Sequence, residues 1–274
     1  MSISIVNESA NAPDPSAPRV SATELLHART LERLKSVIGT QIDACSHILP
    51  HGAQARALAA LQDFEAMYDG RPVRENSGGS GFNDSLWLYV MARAFAPSTI
   101  IESGVHKGHS TWIFRKACPD AEIYSFDITF AKRIYHDSGT HYAEADWSTW
   151  SIPDSVDPET TLILFDDHIS HAQRLLEAYD LRFQHLLLDD NFSAEHLYAT
   201  GGPPAPTLAM LQDPQILDLD AVSWRRNGKF YSYDVQKEEI KKAREVIDQA
   251  WVLPELGEVT RHPLGSRLSL VKLS

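Results

Sequence analysis

Cysteine is scarce in this chain of 274 residues: only Cys45 and Cys118 occur, far apart and in no metal-ligand spacing. A disulfide framework and a thiolate zinc site are therefore excluded, and a reduced, cytoplasmic setting is expected. No apolar run approaches the ~18 residues that a membrane span needs. The stretch MSISIVNESANAPDPSAPRV lacks the basic-then-apolar order of a secretion signal. Positive charge is also in deficit, with 25 Lys+Arg against 37 Asp+Glu and a formal net charge of −12. A nucleic acid or an anionic membrane is a poor partner for such a surface. Hydrophobic residues at 43% and charged residues at 23% exclude wholesale disorder and leave a globular chain with a sizeable core. A small-molecule enzyme or a protein-binding module remains.

Residues 1–20 are rich in Ser, Asn, Ala and Pro with no apolar period, and are read as a loose tail. Ser21 followed by Glu24 is a capping box, which predicts a helix start. Leu25, Leu31, Leu34, Ile38 and Ile42 continue it at helical spacing, and Leu58, Leu61, Phe64 and Met67 mark a second helix. Residues 21–70 thus form an N-terminal helical extension, where a homo-oligomer contact is expected. The segment 69–82 carries four glycines and reads as a linker or a loop over a site. A third helix through Leu86, Val90 and Phe95 must stop near Pro97. Short strands follow at 99–102, 122–127, 161–165 and 185–188, with another around His141. Strand alternating with helix predicts an α/β domain over 71–274 with a mainly parallel sheet. A charged helix is expected over 236–250 and a final strand over 267–272, while Trp224-Arg225-Arg226 reads as an ordinary turn.

Three features carry chemistry. The first is Ile100-Ile101-Glu102-Ser103-Gly104-Val105-His106-Lys107-Gly108-His109-Ser110. A buried strand runs into a glycine turn and then into a helix start, where free amides face a ligand. The spacing E-x-G-x-x-x-G-x-S differs from the dinucleotide fingerprint. Second, the next strand ends in Asp127, where nucleotide-binding sheets place a ribose-binding acid, although Asp127 could also cap a helix over 129–135. Asp146 and Trp147 form a later acidic turn. Third, two strands end alike, in Asp166-Asp167-His168 and in Asp189-Asp190-Asn191. So many carboxylates in one place raise one another's pKa, and a hard cation such as Mg²⁺ relieves the conflict.

Over about residues 75–195 these motifs, in this order, resemble class I S-adenosylmethionine-dependent methyltransferases. Within that class the metal-dependent catechol-type and macrocin-type O-methyltransferases are most similar, and the cephalosporin-hydroxylase group shares the same loop and acidic strands. The resemblance implies a Rossmann-like, doubly wound, mainly parallel seven-stranded sheet. It implies S-adenosylmethionine held by Glu102, Ser103, Gly104, His106, Gly108, Ser110, Asp127, Asp146 and Trp147. The catechol-type register puts the metal on Asp167, Asp190 and Asn191; the macrocin-type register selects Asp189 and Asp190 and leaves Asp166 or Asp167 open. Where catechol-type enzymes carry a catalytic lysine this chain has Ser170. His168 and His171 lie nearby, and His171 is preferred as the base, with metal-assisted loss of the proton to water as the alternative. The implied activity is Mg²⁺-assisted methyl transfer to a hydroxyl of a sugar, polyketide or similar small molecule. Hydroxylase-like chemistry, a non-catalytic cofactor-binding protein and a metal-dependent hydrolase are the rivals.

Overall fold

A computed structural model describes residues 21–199, 202–263 and 267–274. The tail expected over 1–20 lies outside the described residues. Ser21 starts α1 (Ala22–Ala44): its hydroxyl accepts the Glu24 amide hydrogen, and the Glu24 carboxylate accepts the Ser21 N–H in return. Leu34, Ile38 and Ile42 form the buried stripe of α1 against α2 (Ala53–Asp69), which buries Ala57, Ala60, Leu61 and Phe64. α2 in turn rests on α3 (Phe82–Phe95), which is buried almost all round and ends at Ala96 just before Pro97.

The sheet begins with β1 (Thr99–Ser103), followed by α4 (His109–Ala117), β2 (Glu122–Asp127), β3 (Thr140–Glu144) and β4 (Thr161–Phe165). Then come α5 (His171–Asp180), β5 (His185–Leu188), α6 (Leu208–Gln212) and a hairpin of β6 (Ala221–Arg226) with β7 (Lys229–Asp234). The chain closes with α7 (Lys237–Val246), β8 (Ile247–Val252), α8 (Gly257–Thr260) and β9 (Ser269–Leu273). Seven strands form one sheet in the order β3-β2-β1-β4-β5-β9-β8. Neighbours from β3 to β5 run parallel, and β9 is antiparallel to both β5 and β8. This is the Rossmann-like, doubly wound α/β fold expected, with helices preceding it. The winding reverses between β1 and β4, and in open α/β sheets ligands bind beyond the strand ends at such a switch point.

Strand residues alternate between two cores because successive side chains point to opposite faces. Leu162 and Leu164 pack with Ile100, Ile123 and the helices α1 to α4. Ile163 and Phe165 pack with Ile101, Phe126 and the helices α5 to α7. The pattern buries a continuous apolar run on both faces, as a parallel central strand requires.

Two segments differ from expectation. The charged helix stops at Val246, and Ile247–Val252 becomes an edge strand because it pairs with β9, a partner distant in sequence. Trp224-Arg225-Arg226 is the end of a strand rather than a turn. The turn is Asn227-Gly228, both at positive φ (49° and 75°), as a two-residue hairpin demands. Among the described residues no helix is long and apolar enough to cross a membrane.

Candidate functional site

The carboxyl ends of β1, β2, β4 and β5 meet on one side of the sheet. Gly104 leaves β1 at φ +98°, and a Cβ there would stand 2.1 Å from the Asp166 carbonyl oxygen. Only glycine lets the first loop lie against the exit of β4. Gly108, at φ +81°, turns the loop into α4. Asp127 Oδ2 accepts the amide hydrogens of Val105 and His106 at 2.9 and 2.8 Å, while Oδ1 accepts that of Thr129. The acid ending β2 therefore shapes the glycine loop. Residues 129–135 form no helix for it to cap.

A cavity of about 500 Å³ opens here, a volume typical of a small-molecule site. Ser103, Gly104, His106, Asp127 and Asp146 line it. Gly108 and Ser110, at the start of α4, do not line it. Glu102 is wholly buried, accepting hydrogen bonds from the hydroxyls of Thr111 and Ser125 at 2.6 and 2.7 Å. Burial pushes its carboxyl up, against the pull of those hydroxyls. It ties β1 to α4 and β2 and does not line the cavity. Trp147 is likewise buried below the cavity, donating to Glu177 and packed on Phe165 and Phe183.

Arg174, which the sequence reading passed over, sits at the base of this cavity with its side chain 1% exposed. Its guanidinium reaches Asp146 at 2.7 Å, Asp167 at 2.9 Å and Glu177 at 2.6 Å. Burial resists the charge on Asp146, but the bonds from Arg174 and Ser148 outweigh it and hold that carboxyl at about 2. A signal was there: Arg174 shares the helical stripe of His171, Leu175 and Ala178, where an unpaired charge cannot sit.

The two acidic strand ends separate into different roles. Asp167 faces the first loop, accepting from Ser103 Oγ at 2.5 Å and from Arg174 Nε at 3.0 Å. Asn191 turns inward, donating to Ser269 and accepting the Ala209 amide. Of the set Asp167, Asp190 and Asn191, the Asn191 amide is thus committed to Ser269 and Ala209, while Asp167 and Asp190 line one small pocket together. Asp166, Asp189 and Asp190 share a second cavity of about 590 Å³. The Asp166 and Asp189 carboxyls hydrogen-bond to each other. Burial, then Asp189 and the other acids, drives Asp166 well above the usual carboxylate range. Among the described residues no group of three or more His, Cys, Asp or Glu has its donors set around one point as an ion requires. The donor set itself suits a hard cation: oxygen ligands only, with too many charges for their own comfort.

The histidines also divide. His171 is 1% exposed; its Nε2 donates to the Asp189 carbonyl at 2.8 Å and its Nδ1 accepts the Leu208 amide hydrogen at 2.9 Å. Burial pushes it down to about 4. Both nitrogens are committed to backbone, so His171 fastens β5 to α6 and has no free position for a proton from substrate. His168, at φ 59°, places Nδ1 3.3 Å from Asp190 Oδ2, with its side chain 57% exposed. The Asp190 bond raises its pKa against the effect of burial. Since a carboxylate only accepts, Nδ1 carries the hydrogen and Nε2 is the free acceptor. His168 lines both cavities, as does Asp166. Ser170, in the place of the catechol-type lysine, caps α5 by accepting the Gln173 amide.

No family model matches the chain, and no curated protein matches it. Among solved structures it is similar to CmcI with Mg and S-adenosylmethionine, at 15% identity and TM-score 0.43 over 70% of this chain and 72% of that one. It is similar to TomG of Streptomyces achromogenes, an O-methyltransferase of tomaymycin synthesis in complex with S-adenosylmethionine. That match has 13% identity and TM-score 0.46 over 89% and 98% of the two chains. The S-adenosylhomocysteine-bound methyltransferase PaMTH1 of Podospora anserina matches at 16% identity and TM-score 0.43 over 86% and 95%. The match to CmcI-N160 with S-adenosylhomocysteine covers 39% of this chain and 60% of that one, so the chain spans less than two thirds of that protein's length.

Proposed function

We propose that this chain transfers a methyl group from S-adenosylmethionine to a hydroxyl of a small molecule. One observation carries the reading: a glycine-loop cavity and an acid-lined cavity meet at Asp166 and His168, which belong to both. The cofactor would be held by the bare backbone of Ser103 and Gly104, by His106, and by the acids Asp127 and Asp146. A divalent cation would be held by Asp166, Asp189 and Asp190. Bound S-adenosylmethionine supplies an electrophilic methyl group, and a cation lowers the pKa of a hydroxyl beside it.

What the chain's own residues do follows from their placement. Asp190 orients the His168 ring so that Nε2 faces outward to accept a hydroxyl proton, and its charge stabilises the imidazolium that forms. The rigid crest of β1, β2, β4 and β5 holds the two binding regions at fixed separation, which supplies catalysis by positioning. Binding of the polar, cationic cofactor is favoured by the acids around its cavity. A reducing, cytoplasmic setting is part of the proposal and is supported by two buried free thiols. A homo-oligomer through α1 is another part, supported by Leu25 and Leu26 at 45% and 48% exposure. The net charge supports a partner other than nucleic acid.

The test is calorimetry with S-adenosylmethionine and with Mg²⁺, beside transfer of a labelled methyl group to a panel of hydroxylated compounds. Asp127→Ala should weaken cofactor binding and spare Mg²⁺ affinity, and Asp190→Ala should do the reverse. A chain that binds no S-adenosylmethionine refutes the proposal.

A further inference from the structure

The acid-lined cavity contains one residue that its other charges do not explain. Arg226, at the end of β6, lines it together with Asp166, His168, Asp189 and Asp190. Among the described residues Arg226 forms no ion pair; one guanidinium N–H donates to the Ala199 carbonyl. It is half-buried and sits where the strand gives way to the Asn227-Gly228 turn. That turn fixes the end of the hairpin, and Trp224 stacks on Tyr231 across it at 5.4 Å. The guanidinium is thus carried on the hairpin and left with unused donors. Phe192 supplies an apolar wall of the same cavity.

From this geometry we infer that Arg226 binds a carboxylate of the acceptor molecule, so that the substrate class is a hydroxylated organic acid. The inference rests on the proposed methyl transfer for its hydroxyl end, which Asp166, His168 and Asp190 would face. Arginine offers a planar fork of N–H donors that matches a carboxylate. A single guanidinium balances a single negative charge. A dianionic phosphate would remain uncompensated in a cavity already lined by three aspartates, so a carboxylate fits better. The neutral isostere of such an acid would leave the arginine facing no partner, and this is how a site separates an acid from its ester.

The probes are 3,4-dihydroxybenzoate and its methyl ester, which differ only at the carboxylate. Their binding is measured by calorimetry and their methylation by labelled S-adenosylmethionine, in the wild type, Arg226→Ala and Arg226→Lys. The acid should bind at least about tenfold more tightly than the ester, as expected of one charge-assisted contact. Arg226→Ala should abolish that preference by weakening only the acid, raising its KM with little change in kcat. Arg226→Lys should restore part of it. Equal affinity for the two probes, no binding of either, or an Arg226→Ala loss shared by both overturns the assignment. Methylation without preference for the acid would sink this inference and leave methyl transfer standing. A preference for the acid in binding, lost in Arg226→Ala but with no methylation of any compound, would do the opposite.

Discussion

Replacing Arg174 by methionine tests how the site is held. The side chain is buried and contacts Asp146, Asp167 and Glu177 within 2.6 to 2.9 Å. At an effective dielectric near 20 each contact is worth roughly 6 kcal/mol of Coulomb attraction before desolvation offsets most of it. Methionine keeps the packing of the stem but leaves three carboxylates without their cation. Their side chains are 34%, 13% and 22% exposed, so water can rescue them only in part. Removing one member of a buried ion-pair network costs about 3–5 kcal/mol, which is the expected loss in urea unfolding followed by fluorescence. Arg174→Lys, which keeps the charge but not the fork, should lose about half as much. The pH dependence separates this mechanism from simple misfit. Asp146 is held at about 2 against an ordinary 3.8, so its stabilisation is complete above 3.8 and disappears as pH falls toward 2. The gap between wild type and Arg174→Met should therefore narrow over that interval. S-adenosylmethionine affinity should also fall, because Asp146 and Arg174 line the same cavity. A stability loss under about 1 kcal/mol, or a gap independent of pH, would show that the network is not what organises the base of the site.

Further outcomes follow from neighbouring residues. Without Mg²⁺ the His168 imidazole should titrate above its ordinary range, because Asp190 raises it, and Asp190→Asn should lower that titration; an NMR titration of the ring unchanged by the substitution would refute the pairing. Gly104→Ala should cost about 3 kcal/mol or more and abolish cofactor binding, since its Cβ would meet the Asp166 carbonyl at a φ that alanine avoids; a variant with wild-type melting and affinity would refute the close packing described. His171 is held neutral down to about 4, so stability should fall as pH drops from 6.5 to about 4, by up to about 1.4 kcal/mol per pH unit for this residue. His171→Gln should flatten the denaturation midpoint against pH over that range, and an unchanged slope would mean that the imidazole is not buried neutral.

Much of the fold is legible along the chain because the relevant forces are local. The Ser21–Glu24 capping box starts α1, Pro97 follows the end of α3, and the apolar runs at 161–165 and 185–188 become buried central strands. The hairpin is missed although β6 alternates between exposed and half-buried positions, because Trp224-Arg225-Arg226 reads as the turn in place of Asn227-Gly228 just after it. Edge strand β8 was masked by the helical charges before it, since its strand character comes from β9. In the site, the glycine loop and Asp127 could be read because backbone conformation and strand order dictate them. The placement of Asn191 could not: its partners, Ser269 on β9 and the Ala209 amide on α6, are distant in sequence.

The sequence alone determined that acids and glycines fall at the ends of successive parallel strands, because apolar strand, turn and helix start are written in consecutive residues. It also determined that His168 and His171 stand next to those acids. Only the tertiary structure decided which histidine has a free nitrogen, which aspartates converge, and that Arg174 and Arg226 enter the two cavities. Those outcomes depend on the carbonyls of Asp189 and Ala199, the amide of Leu208 and the carboxylate of Asp146. Such partners meet a side chain only when the sheet has closed, and no periodicity along the chain encodes the meeting.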